Sequence, residues 1–109
     1  MSEIAKIIDS IKIFNQERDW EQFHNPKDLA IALNIETSEL LELFLWKRDT
    51  DVDENKVKEE LADIFMYAFN IADKFNLDIT AIVNEKLKKN ALKYPVEKSK
   101  GTSKKYKDL

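Results

Sequence analysis

Cysteine is absent from the 109-residue chain, which excludes a disulfide framework, a thiolate zinc site and a cysteine nucleophile. Histidine occurs once, at His24, so histidine-rich metal chemistry has almost no material. Gly101 is the single glycine, and Pro26 and Pro95 are the only prolines. An all-β chain needs many tight turns and the dihedrals these residues supply, so that class is excluded too. No apolar run approaches the roughly 18 residues of a membrane span. The start, Met-Ser-Glu-Ile-Ala, has no basic segment followed by an apolar one. A cytoplasmic location without a signal peptide is therefore expected. The length suits one domain with a thin core, which association with further copies would complete.

Charge is unevenly spread. Residues 1–84 hold 9 basic and 18 acidic side chains, whereas residues 85–109 hold 9 lysines against Glu85, Glu97 and Asp108. A basic end of this kind can meet nucleic acid or the phosphates of a small ligand, or it can be a solvated tail. The acidic remainder argues against nucleic acid, and no membrane partner is expected.

What is present has the helical period. Ile4, Ile7, Ile8, Ile11 and Phe14 recur on one face of a first helix. The segment Gln16 to His24 reads as a connection that carries Trp20 and Phe23. Asn25-Pro26 reads as an N-cap followed by proline at the first helical position, where the missing N–H costs nothing. The second helix is expected from Pro26 to about Lys47, and the third from about Asp53 to Phe75 with Asn76 as its C-cap. The fourth is expected from about Asp78 to Lys93, where Pro95 stops it. The chain beyond is expected to be irregular. The expected architecture is all-α, with four helices in one subunit. Ten of the twelve residues from Leu61 to Ala72 are apolar, the exceptions being Asp63 and Asn70. A helix apolar nearly all round must be covered all round, which predicts a subunit interface and a homo-oligomer.

Carboxylates occur in two spaced pairs. Glu36 and Glu39 project to one face of the second helix, and Glu60 and Asp63 to one face of the third. A short loop makes the two helices antiparallel neighbours, so the pairs can face each other. Two unit charges about 4 Å apart repel by about 4 kcal/mol at an effective dielectric near 20. Four carboxylates together require protonation, nearby lysines or a hard cation. Magnesium prefers oxygen ligands and shares its shell with substrate phosphates, which suits phosphoryl chemistry. The bland alternative is that such pairs decorate solvated helix faces. A di-iron site would need Glu-x-x-His on two helices, and neither pair is followed by histidine.

Glu36-Thr-Ser-Glu39 followed by Glu60-Leu-Ala-Asp63 is similar to the ExxE…ExxD metal motif of the MazG-like all-α nucleotide pyrophosphohydrolases. Within that superfamily the chain most resembles the dCTP pyrophosphatase group. The matching stretches include Glu17-Arg-Asp-Trp-Glu-Gln-Phe-His24, Glu39-Leu-Leu-Glu-Leu-Phe-Leu-Trp-Lys47, Glu59-Glu-Leu-Ala-Asp-Ile, Lys86 through Tyr94-Pro95, and Lys105-Tyr106. Two departures stand out. Ile35 occupies the place of an extra glutamate in many MazG-like proteins, and Ile11 that of a first-helix histidine in the dCTP pyrophosphatase group.

The resemblance implies hydrolysis of a (deoxy)nucleoside triphosphate, dCTP or a modified dCTP, to the monophosphate and pyrophosphate, as nucleotide-pool house-cleaning. It implies a tetramer and dependence on Mg2+, with Mn2+ as a substitute. Glu36, Glu39, Glu60 and Asp63 would be the catalytic metal ligands. Trp20, His24 and Trp46 would form the base and sugar pocket, and Tyr67, Lys86, Asn90 and Tyr94 would complete the substrate site. Residues 1–95 would be the pyrophosphohydrolase domain, and 96–109 a lysine-rich segment packing on or near the site. The spacing agrees in part: Tyr67 lies one turn beyond Asp63, and Lys86, Asn90 and Tyr94 form one stripe of the fourth helix. Two alternatives are the same reaction with broad specificity, and a non-catalytic helical nucleotide-binding or oligomerisation module.

Overall fold

The computed structural model describes all residues, 1–109, and divides into two compact units, Met1–Asn76 and Leu77–Leu109. The first contains α1 (Glu3–Glu17), α2 (Pro26–Glu42) and α3 (Glu54–Lys74), with α3 packed against both of the others. The second contains α4 (Ile79–Lys93) and the single-turn α5 (Val96–Ser99). There is no strand, in keeping with the scarcity of turn residues.

Each helix of the first unit starts where a side chain can accept an orphan backbone N–H. Ser2 accepts from Ala5 N at 3.1 Å, Asn25 from Asp28 N at 2.9 Å, and Asp53 from Asn55 N at 3.0 Å. Pro26 fills the first helical position after Asn25, as the sequence implied. The ends are set by left-handed residues. Asp19 (φ 54°) follows α1, and Asn76 (φ 54°) follows the α3 cap residue Phe75, one place later than expected. Short polar side chains tolerate this conformation better than others.

The second helix is shorter than its apolar pattern suggests: it ends at Glu42, not near Lys47. From Leu43 the backbone tightens to three-residue bonds, Leu43 N to Leu40 O, Phe44 N to Leu41 O and Leu45 N to Glu42 O. Trp46 then adopts φ 60°, which stops any helix. For a non-glycine residue that geometry costs roughly 1–3 kcal/mol. Nor is the chain after Pro95 irregular throughout. Pro95 precedes α5, and a further 3-10 turn forms at Tyr106–Asp108. Within this second unit Tyr106 stacks edge-on against Tyr94 at 6.1 Å, and Lys93 Nζ lies 5.0 Å from the Tyr106 ring.

The reversal after α1 positions an aromatic pair. Trp20 N donates to Asn15 O at 3.0 Å, folding the chain back. The Trp20 ring then meets Phe14 edge-on at 5.7 Å, and the Arg18 guanidinium covers the Phe14 ring at 3.7 Å. Aromatic and cation–π contacts of this kind contribute roughly 0.5–1.5 kcal/mol each. The only bridging ion pair between α1 and α3, Lys12 to Asp73 at 3.8 Å, is half-exposed and contributes less than about 1 kcal/mol.

Candidate active site

The two carboxylate pairs meet across the α2–α3 interface. Oxygens of Glu36, Glu60 and Asp63 all lie within 4.8 Å of one another, and each residue is half-buried. Glu39, one turn after Glu36, is close enough to both Glu36 and Glu60 to raise their pKa values. Glu36 Oε2 and Glu60 Oε2 are buried with no hydrogen-bond partner. Unpartnered buried carboxylate oxygens are costly, and a hard cation is what this all-oxygen set lacks. Oxygens bound to one Mg2+ at about 2.1 Å stand about 3 to 4.2 Å apart, so a small closure brings the three into one shell.

Electrostatics carries the same signature. Burial, followed by the neighbouring carboxylates of Glu39, Glu60 and Asp63, pushes Glu36 up to about 7. Glu60 is raised as well, by burial and by the charges of Glu39 and Asp63. Tyr67, one turn after Asp63, is raised by burial and by Glu36, Asp63 and Glu39, so its hydroxyl stays protonated and available as a donor. Like charges held close with no counter-ion account for all three.

A pH dependence follows. Below its ordinary value of 4.5 the Glu36 carboxyl is protonated whether folded or not; between 4.5 and about 7 only the folded form retains the proton. Stability of the metal-free protein therefore decreases as pH rises through that window. A divalent cation reverses the trend, because it binds the ionised cluster of the folded state. At a hundredfold excess over Kd it adds about 2.7 kcal/mol. Thermal unfolding in EDTA and in Mg2+, between about pH 5 and about pH 8, measures both effects. Superimposable curves throughout would leave the cluster a surface feature.

Beside the carboxylates lies a cavity of about 230 Å³, lined by Phe14, Asn15, Trp20, His24, Asp63, Met66, Tyr67 and Asn70. It joins three substrate-site candidates, Trp20, His24 and Tyr67, to the metal-ligand candidate Asp63. Trp20 keeps 44% of its surface open, so a ring face is available for stacking. The sequence reading did not single out Phe14, Asn15, Met66 or Asn70 as site residues. Asn70 carried a signal, as one of two polar residues in the apolar run of α3. Asn15 carried another, one turn after Ile11 on the buried face of α1.

Trp46 is not among the cavity residues; it is 94% exposed, on the turn after α2. Lys86 and Asn90 lie in the second unit, lining a shallow groove along α4 with Ile82, Val83 and Leu87. Tyr94 caps that helix against Tyr106.

Comparison with known proteins agrees with this geometry. Residues 31–109 match the MazG-like family. The chain is 40% identical over 104 residues to dCTP pyrophosphatase 1 of Mus musculus, covering 88% of this chain and 61% of that protein. It is 36% identical to dCTP pyrophosphatase 1 of Homo sapiens, with the same coverage of both. The chain thus spans about three fifths of the length of these curated relatives. A crystal structure of a pyrophosphatase from Archaeoglobus fulgidus superimposes with a TM-score of 0.81 at 32% identity, covering 87% of this chain and 94% of that one.

Proposed function

The chain belongs to the MazG-like family, and from that premise we propose that it cleaves the α–β phosphoanhydride of a (deoxy)nucleoside triphosphate. The products are the monophosphate and pyrophosphate, and the substrate is dCTP or a modified dCTP, removed from the nucleotide pool. One observation carries the reading: Asp63 belongs both to the carboxylate cluster and to the aromatic-lined cavity. A nucleoside held in the cavity has its phosphates beside the acidic cluster. The activity named for the curated relatives is the same reaction type.

Glu36, Glu39, Glu60 and Asp63 would hold Mg2+, with Mn2+ as a substitute. When bound, the ion neutralises charge on phosphate oxygens and makes water a better nucleophile at neutral pH. The protein's own groups do the rest. Trp20 offers a face on which a base stacks, and single bases on aromatic side chains gain roughly 1–3 kcal/mol. The protonated Tyr67 hydroxyl donates to a sugar or phosphate oxygen. His24 borders the same cavity. Trp46, Lys86, Asn90 and Tyr94 are assigned as further substrate contacts, Lys86 as the cation for phosphate.

The working form is a homo-oligomer, a tetramer by the resemblance, in the cytoplasm. What supports association is a wholly apolar groove of about 380 Å³ in the first unit, lined by Ile7, Ile11, Ala62, Phe65, Met66 and Phe69. It runs along the side of α3 that α1 leaves uncovered, where Phe65 and Phe69 stack at 5.9 Å. No helix is long and apolar enough to cross a membrane.

The test is pyrophosphate release from dCTP, with Mg2+ and with EDTA. Formation of dCMP and pyrophosphate only in the presence of the cation is expected. Release of orthophosphate with dCDP, or equal turnover in EDTA, would overturn the assignment.

A further inference from the structure

One polar pair in the first unit has no role in the chemistry above. Asn15 is 6% exposed and is the only buried polar residue. Its Nδ2 donates to Asn70 Oδ1 across the α1–α3 interface at 3.4 Å, a long hydrogen bond. Neither side chain makes another. A carboxamide has two donor hydrogens and a carbonyl with two lone pairs, so Asn15 Oδ1 and the Asn70 amino group are left without partners. Sparsely bonded polar groups at a helix interface are unfavourable, and apolar residues would join α1 to α3 without that penalty. Both residues line the cavity that holds Trp20, Asp63 and Tyr67.

We propose that the Asn15–Asn70 pair is the base-reading element of this site and selects a 4-aminopyrimidine nucleotide over its 4-oxo counterpart. The assignment rests on the nucleotide-hydrolysis reading and deepens it. In the observed arrangement the free acceptor on Asn15 and the free donor on Asn70 are neighbours. A 4-aminopyrimidine presents the complement, an amino N–H beside an unprotonated ring N3. The amine donates to Asn15 Oδ1, and N3 accepts from Asn70 Nδ2. A 4-oxopyrimidine presents the reverse, so its carbonyl meets a carbonyl and its N3–H meets an amino group. To accept that edge both carboxamides must turn over together, since turning one breaks the bond between them.

dCTP and dUTP differ only in this edge, so their kcat/KM ratio reads it directly. The wild-type protein is expected to favour dCTP by about tenfold, the discrimination of one well-placed pair of hydrogen bonds. Asn15→Leu and Asn70→Ala should bring the ratio close to one, chiefly through KM for dCTP, because the contacts exist before chemistry. A helix clamp without contact to the base would lower melting temperature in these variants and leave the ratio unchanged, which overturns the proposal. A wild-type ratio near one overturns it as well. Should Asn15→Leu fail to fold, the half-buried Asn70→Ala carries the same comparison, and equilibrium binding of dCMP against dUMP to the wild-type protein gives the ratio without turnover. Equal binding of the two would overturn the pair's role. Absence of hydrolysis with every triphosphate tested would instead remove the nucleotide-hydrolysis reading, and the dCMP–dUMP comparison would still decide for the pair.

Discussion

Asp63→Asn lowers kcat for dCTP hydrolysis roughly a thousandfold, the rate equivalent of the several kcal/mol of transition-state charge stabilisation that a bound metal supplies. Asp63 stands at the junction of cluster and cavity, so its charge cannot be replaced from elsewhere on the chain. The same loss is expected for Glu36→Gln, with an opposite effect on the metal-free fold. Glu36 Oε2 is buried without a partner, and the acidic neighbours hold its pKa near 7. A neutral amide removes the repulsion and can donate to the Glu60 carboxylate, whose own Oε2 is unpartnered. In EDTA at pH above that value, the variant should melt several degrees higher than the wild type. One kcal/mol corresponds to roughly 4–8 °C in a chain of this size. An inactive but stabilised protein is what a site strained for function yields. Single-turnover kinetics and melting curves of the two variants decide it. Near-normal kcat in Asp63→Asn would refute the metal assignment, and a lower melting temperature for Glu36→Gln in EDTA would refute the repulsion.

Phe65→Asp should break the assembly while leaving the helices of the subunit able to form. Phe65 is 55% exposed in the single chain, so a carboxylate there meets water if the chain works alone. In an oligomer that covers the groove of Ile7, Ile11, Ala62, Phe65, Met66 and Phe69, it becomes a buried and unpaired charge. Such a charge costs about 3–5 kcal/mol per site. Each aromatic or aliphatic side chain buried in the contact contributes about 1.5–3 kcal/mol, so one substitution offsets more than one contact residue. Sedimentation at micromolar concentration should show the wild type as an oligomer and the variant as a smaller species, with helical circular dichroism largely kept. A monomeric wild type, or a variant that sediments like it, would refute the interface.

How much of this was readable from the sequence differs by element. The helical class followed from periodicity and from the scarcity of glycine and proline, because both are local constraints on the backbone. Asn25-Pro26 placed the start of α2 correctly, since a cap needs only a side-chain oxygen within three residues. The end of α2 was not readable. Leu43, Phe44, Leu45 and Trp46 keep a helical apolar pattern, yet the backbone tightens and turns left-handed there. Turn chemistry carries no signal when bulky apolar residues adopt it.

The candidate site divides in the same way. By itself the sequence determined that Glu36 and Glu39 share a face, as do Glu60 and Asp63, because helical spacing is fixed by the hydrogen-bond ladder. Only the tertiary structure decided that three of these carboxylates gather within 4.8 Å with two oxygens unpartnered. That depends on how α2 and α3 rotate about their axes, which side-chain packing sets. The same packing brought Asn15 of α1 against Asn70 of α3, 55 residues apart, beneath a tryptophan delivered by the reversal after α1. A pair that distant shares no local period, so its partnership exists only once the helices have packed.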